Sequence, residues 1–219
     1  DLARIDPQVS GAVTVEARVE GPLTAPVITA DATADQLQLA GKPVRDLQLS
    51  ARADTNPEAL SADLELTANV DGNDLAAALR AEPEGDGLRV PTLSLTAGEN
   101  TLSGDLAIAD LTRATQTLTG SLTIAAPDLS EFSALALTEL AGRLSGQIDL
   151  TQEAGRATAH VQLTGTEISA AGTQVAGLDA DLTLRDLFTA PALAGKARAT
   201  GILTGGTPVE QVDITASGT

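Results

Sequence analysis

LSADLELTANVDGN, residues 60–73, sets an aliphatic side chain at every second place: Leu60, Ala62, Leu64, Leu66, Ala68 and Val70 against Ser61, Asp63, Glu65, Thr67 and Asn69. Successive side chains of a strand point to opposite faces, so this pattern writes a strand with one apolar and one wet face. Asp71-Gly72-Asn73 then supplies the residues that a tight turn favours. Together they predict a half-buried antiparallel sheet.

The same alternation runs outward from this stretch in both directions. Towards the N-terminus it takes in Val13, Val15, Ala17 and Val19, then Leu47, Leu49, Ala51 and Ala53. Towards the C-terminus it takes in Leu106 and Ile108; Leu118, Leu122 and Ile124; Ile148 and Leu150; Ala159, Val161 and Leu163; Leu178, Ala180, Leu182 and Leu184; and Val212 and Ile214. Further turn signals separate alternating runs at Glu84-Gly85-Asp86-Gly87, Ala97-Gly98-Glu99-Asn100 and Gly205-Gly206.

Two short units recur. One is an aliphatic residue, a glycine two places on, and an alternating strand: VSGAVTV (9–15), LSGDLAI (102–108), LTGSLTI (118–124) and LSGQIDL (144–150). The other is a glycine with aliphatic residues three and six places after it: GKPVRDLQLSA from Gly41, GTQVAGLDADL from Gly172 and GTPVEQVDITA from Gly206. The intervals between copies are irregular, so the chain reads as a degenerate array of strands within one unit, 1–219, and not as a solenoid of fixed period.

One segment departs from period two. In PDLSEFSALALTELAG, residues 127–142, Leu129, Phe132, Leu135, Ala136 and Leu140 approximate a helical stripe. Asp128 or Ser130 can cap it and Gly142 can stop it, which predicts one short helix near 128–141. Asp74 to Ala81 fits a helix or a strand.

Composition narrows the function classes. The chain of 219 residues carries 13 basic and 30 acidic side chains, a formal net charge of -17. Such a surface repels nucleic-acid phosphates, so no nucleic-acid partner is expected. Cysteine is absent, which removes disulfides and thiolate metal sites. Aromatic residues make up 1%, Phe132 and Phe188 alone, so burial must come from Leu, Val, Ile and Ala. No apolar run reaches the roughly 20 residues of a spanning helix. The opening Asp1-Leu2-Ala3-Arg4 lacks the basic start and apolar stretch of a signal sequence, and both ends read as cuts within a longer protein.

The residues offer little reactive chemistry. His160, the single histidine, falls on the polar side of its strand between Ala159 and Val161 and has no companions spaced as ligands. The carboxylate pairs Asp63 with Glu65 and Asp179 with Asp181 stand on an outward, solvated face, where solubility and resistance to edge pairing account for them. No phosphate-loop, dinucleotide, zinc or calcium-roll motif stands in a suitable context. The expectation is a protein without enzymatic activity, metal or cofactor. What remains is the aliphatic face, which could pack on itself in a closed sandwich or β-helix, or line an open groove suited to acyl chains.

The stretch EGPLTAPVITADATADQLQLAGKPVRDLQLSARAD, with VSGAVTVEARVEGPLTAP before it and LSGQIDL later, resembles the repeat of the AsmA-like family that includes the translocation and assembly module subunit TamB. The resemblance lies in a glycine turn, Ala-Pro, an alternating strand, a second glycine turn and a second strand. It implies an all-β, elongated β-taco, a mostly antiparallel sheet curled lengthwise around a hydrophobic groove. It further implies a periplasmic protein anchored to the inner membrane that carries phospholipid towards the outer membrane, with an outer-membrane barrel partner of the TamA type engaged through regions outside this segment. The positions that match the alternating pattern are the expected lining for phospholipid acyl chains: Val13, Val15, Leu47, Leu49, Leu64, Leu66, Leu106, Ile108, Leu122, Ile124, Ile148, Leu150, Val161, Leu163, Leu182, Leu184, Val212 and Ile214. A β-templating scaffold for outer-membrane proteins and a structural array with a closed core are the alternatives.

Overall fold

Turn residues placed between alternating runs fold each run back on the one before it, and the described strands from β3 onward follow that rule. A computed structural model describes residues 9–39, 41–153 and 155–218. Its strands are β1 (Val9–Gly11), β2 (Thr14–Glu20), β3 (Val27–Leu39), β4 (Lys42–Asp54), β5 (Ser61–Val70), β6 (Asn73–Glu84), β7 (Gly87–Ala97), β8 (Asn100–Ile108), β9 (Leu118–Ala126), β10 (Leu140–Glu153), β11 (Arg156–Ala170), β12 (Thr173–Arg185), β13 (Ala192–Thr204) and β14 (Thr207–Ser217).

They form one 14-stranded antiparallel meander in which each strand from β3 onward pairs with the next. β1 and β2 are two pieces of one edge, both paired with β3. The four turns expected at 71–73, 84–87, 97–100 and 205–206 all join neighbouring strands. Asp71 (φ 55°) and Gly72 (φ 94°) both take positive φ, the geometry of a two-residue hairpin whose twist matches the strands it joins. Residues 74–81, open to two readings in the sequence, lie within β6.

The sheet is open. β14 does not return to β1, β2 or β3, so the sheet is not closed. Nor is the sheet strongly curled, so the lengthwise curl implied by the family resemblance is not developed. The chain exposes 12902 Å² at a mass of 22.1 kDa, where a compact monomer of that mass exposes about 9,300 Å². Small aliphatic rows with no second layer opposite them give the sheet nothing to close on.

The glycines of the first repeat unit sit inside strands. Gly104 of β8 pairs with Leu122 of β9, and Gly120 of β9 pairs with Leu106 of β8. A Cβ on Gly120 would stand 2.1 Å from the carbonyl oxygen of Asp105, and its φ of 140° is open only to glycine. The repeat therefore records places where neighbouring backbones come too close for a side chain.

The helical prediction is half right. A 3₁₀ turn, Leu129–Phe132, runs into the α-helical turn α1 (Ser133–Ala136), capped by Asp128 as expected. It stops at Leu137, which takes φ 54°, and not at Gly142, which belongs to β10. The structure adds a helical connection that the sequence reading lacks: a 3₁₀ turn, Leu111–Arg113, followed by the α-helical turn α2 (Ala114–Thr117) between β8 and β9. Its cap is Asp110, whose Oδ1 accepts from the Thr112 amide at 2.9 Å. None of these helices is long and apolar enough to cross a membrane.

The main apolar cluster lies at one rim. Ala34, Leu37, Val44, Ala68, Val70, Leu75 and Ala97 are buried together with Ala134 of α1, and Val13, Leu47, Leu66, Leu95 and Phe132 pack around them.

Candidate functional site: the aliphatic face

Cross-strand register carries the apolar half of each strand into rows that run the width of the sheet. One row reads Val15, Ala32, Leu49, Leu66, Ala77, Leu95, Leu102, Ile124, Gly146, Leu163, Ala180, Ala197 and Ile214, each opposite the next. The row beside it carries Leu64, Leu79, Leu93, Gly104, Leu122, Ile148, Val161 and Leu182. A third joins Leu106, Gly120, Leu150, Ala159 and Leu184. The first of these rows, from β2 to β14, crosses twelve interstrand steps, on the order of 58 Å.

The remaining predicted positions fall at the margins of the same face. Ile108 pairs with Leu88 and Leu118, Leu47 with Ala34, and Val212 with Ala199. Val13 lies between β1 and β2 and packs on the rim cluster. Leu64, Leu66, Leu122, Ile124, Ile148, Val161, Leu163, Leu182 and Leu184 are half-buried, each between neighbours turned the opposite way in the strand. At the edges the rows open fully: Val15 is 63% exposed and Ile214 51%. Sequence reading missed Leu79, Leu93, Leu95 and Leu102, which complete the rows.

The opposite face is largely polar, with alanines among the polar residues. Glu16, Asp31, Ser50 and Glu65 form one part of a row, and Thr123, Gln147, Gln162, Asp181 and Lys196 another. His160 belongs here, its Nε2 3.3 Å from Asp181 Oδ1. Asp63 lies 3.8 Å from the Arg80 Nε, and Arg198 Nε donates to Asp213 at 2.7 Å. That donation holds the Asp213 carboxyl below the usual carboxylate range. These are solvated ion pairs, each worth little to stability. Among the described residues no group of three or more His, Cys, Asp or Glu could hold a metal ion.

A buried polar side chain stands on the aliphatic side. Asn100 lies opposite Ala97 at the rim and is fully buried. Its Nδ2 donates to the Asp128 carbonyl at 2.7 Å and to Glu131 Oε2 at 2.8 Å, and its Oδ1 accepts from the Asp128 amide at 3.0 Å. Glu131 Oε2 also accepts from the Glu99 amide at 3.0 Å. Asn100 looks in sequence like an ordinary turn residue; only the fold of residues 127–139 back over the rim gives it partners.

No protein-family model, no curated protein and no solved structure matches this chain.

Proposed function

We propose that the protein is a non-enzymatic lipid conduit, its aliphatic face receiving phospholipid acyl chains while headgroups stay in water at the open margins. The observation that carries this reading is the set of aliphatic rows, interrupted by Gly104, Gly120 and Gly146, on one face of an open sheet. Acyl chains offer nothing to hydrogen-bond, and Leu, Val, Ile and Ala ask for nothing. Each methylene removed from water contributes about 0.8 kcal/mol. A lining of similar residues keeps successive positions close in energy, so a chain can slide along the rows. The length of the first row, roughly 58 Å, is about twice the hydrocarbon thickness of a bilayer. In this reading the sheet curls into the β-taco when lipid occupies it.

The resemblance to the AsmA-like family adds the setting: the periplasm of a bacterium with two membranes, in a protein anchored to the inner membrane and serving outer-membrane biogenesis. A barrel partner of the TamA type would be met by other regions.

Site-specific photocrosslinking in cells tests the reading, with the probe at Leu64 and Leu122 and, as neighbours on the other face, at Asp63 and Ser121. Phospholipid attached at the two leucines and not at their neighbours supports it. Intact protein with no lipid at any of the four positions overturns it.

A further inference from the structure

The segment 127–139 lies on the aliphatic side at the rim between β7 and β10, and its attachment there is mostly polar. Asn100, Glu99 and Glu131 fasten its first turn through the hydrogen bonds described above. At its far end Ser133 Oγ accepts from the Leu140 amide at 3.0 Å. Phe132 and Ala134 pack on the cluster that contains Leu75 and Ala97, and Leu129 is half-buried. Leu135, Ala136, Leu137, Thr138 and Glu139 are exposed. A short helix with so few buried apolar contacts opens at low free energy once its polar anchor is gone. The hairpin turn leaves room for the anchor: a Cβ on Gly98 would stand 2.2 Å from Glu131 Oε1.

We infer that this segment is a latch on the aliphatic face, held shut by Asn100 and Glu131, which keeps acyl chains off the rim around Leu75 and Ala97 until it lifts. The inference rests on the acyl-chain reading above. In the closed position Phe132, one of the two aromatic residues of the chain, occupies ground that an acyl chain would otherwise cover. Asn100 is the natural fastening point because, once buried, its amide must be paired in the latched state or reach water in the open one. Lifting the segment exchanges those hydrogen bonds for water and frees an apolar patch continuous with the long rows.

The test compares the full chain with Asn100→Leu and with Glu131→Ala, the second being the milder change if the first impairs folding. Hydrogen exchange across residues 129–136 reads the latch, and a photoreactive hexadecanoic acid reads the face. The expected result is exchange faster by tenfold or more in that segment, together with a several-fold gain of adducts on peptides carrying Leu75 and Ala97. Adducts on β9–β12 should stay unchanged. Unchanged exchange in both variants overturns the fastening role. Faster exchange with no gain of adducts at the rim overturns the latch while leaving the conduit standing. No adduct anywhere in any of the three proteins overturns the conduit reading and the latch with it.

Discussion

Val44 and Leu47 are three residues apart in β4, yet both side chains enter the same apolar cluster, because Asp46 between them takes φ 52°. In a regular strand they would face opposite ways. The left-handed residue resets the alternation in this copy of the glycine-led repeat and accounts for its spacing of three between Val44 and Leu47. The left-handed region costs an L-residue roughly 1–2 kcal/mol, least for Gly, Asn and Asp. Asp46→Gly should therefore leave stability unchanged or slightly raised, and Asp46→Ile should lower it by about 1–2 kcal/mol. Urea unfolding of the two variants checks both.

Gly120 has a sharper requirement. Its Cβ position lies 2.1 Å from the Asp105 carbonyl oxygen, and backbone cannot move aside as a side-chain tip can. Gly120→Ala should cost about 1–3 kcal/mol from overpacking alone. Gly72, where nothing lies within 4 Å of that position, is a control for φ without crowding. A smaller loss for Gly72→Ala than for Gly120→Ala in the same unfolding assay is the expected order.

Thr158 presents the opposite case. It is 3% exposed in β11, and its Oγ1 has no hydrogen-bond partner among the described residues. Replacing a buried, unpaired hydroxyl by a methyl group of similar shape removes a desolvation cost. Thr158→Val should raise the melting temperature or leave it unchanged; a clear fall would mean that the hydroxyl is paired in solution.

Acid should loosen both helical connections. Hydrogen bonds from the Thr112 side chain, then from Arg113 and the Thr112 amide, hold the Asp110 carboxyl below the usual range. Those from Ser130, side chain and backbone, do the same for Asp128. A carboxyl whose folded pKa lies below its unfolded value adds stability that is complete above that value, about 3.9, and is lost as pH falls through the folded pKa. Amide chemical shifts of Thr112 and Ser130 should move together with this titration below about pH 4. Asp128→Ala should abolish the transition at Ser130 and spare that at Thr112.

Transport should distinguish the two faces. Leu122→Asp places a charge among half-buried aliphatic side chains, and Ser121→Asp places one on the polar face beside Asp105. The first should obstruct phospholipid flux in a full-length protein and the second should not. Equal effects would count against passage along the aliphatic face.

How much of this was legible in the sequence depends on how local the cause is. Leu64, Leu122 and Ile148 could be assigned to one face from period two alone, since side-chain direction in a strand is set by the nearest peptide units. The hairpin at Asp71-Gly72 was legible for the same reason. Asp46 was not, because its effect shows only in what Val44 and Leu47 touch. The turns at 111–117 contain too few apolar residues to display a helical period. Asn100 was hidden because its partners at Asp128 and Glu131 lie across an intervening strand, and no local pattern encodes them. Curl of the sheet depends on accumulated twist along many strands, and alternation is the same in a flat sheet and a folded one.

From β3 onward every strand pairs with its neighbour in sequence, so the order along the chain is also the order across the sheet. Removing one complete hairpin, such as β11 with β12, would bring two antiparallel strands of unchanged direction edge to edge and keep the aliphatic residues on one side. The sheet would become narrower by two steps without changing plan. Its span is therefore adjustable by duplication or loss of hairpins, as a fabric is let out or taken in by whole rows, and a lineage could fit it to a different gap without redesigning a core.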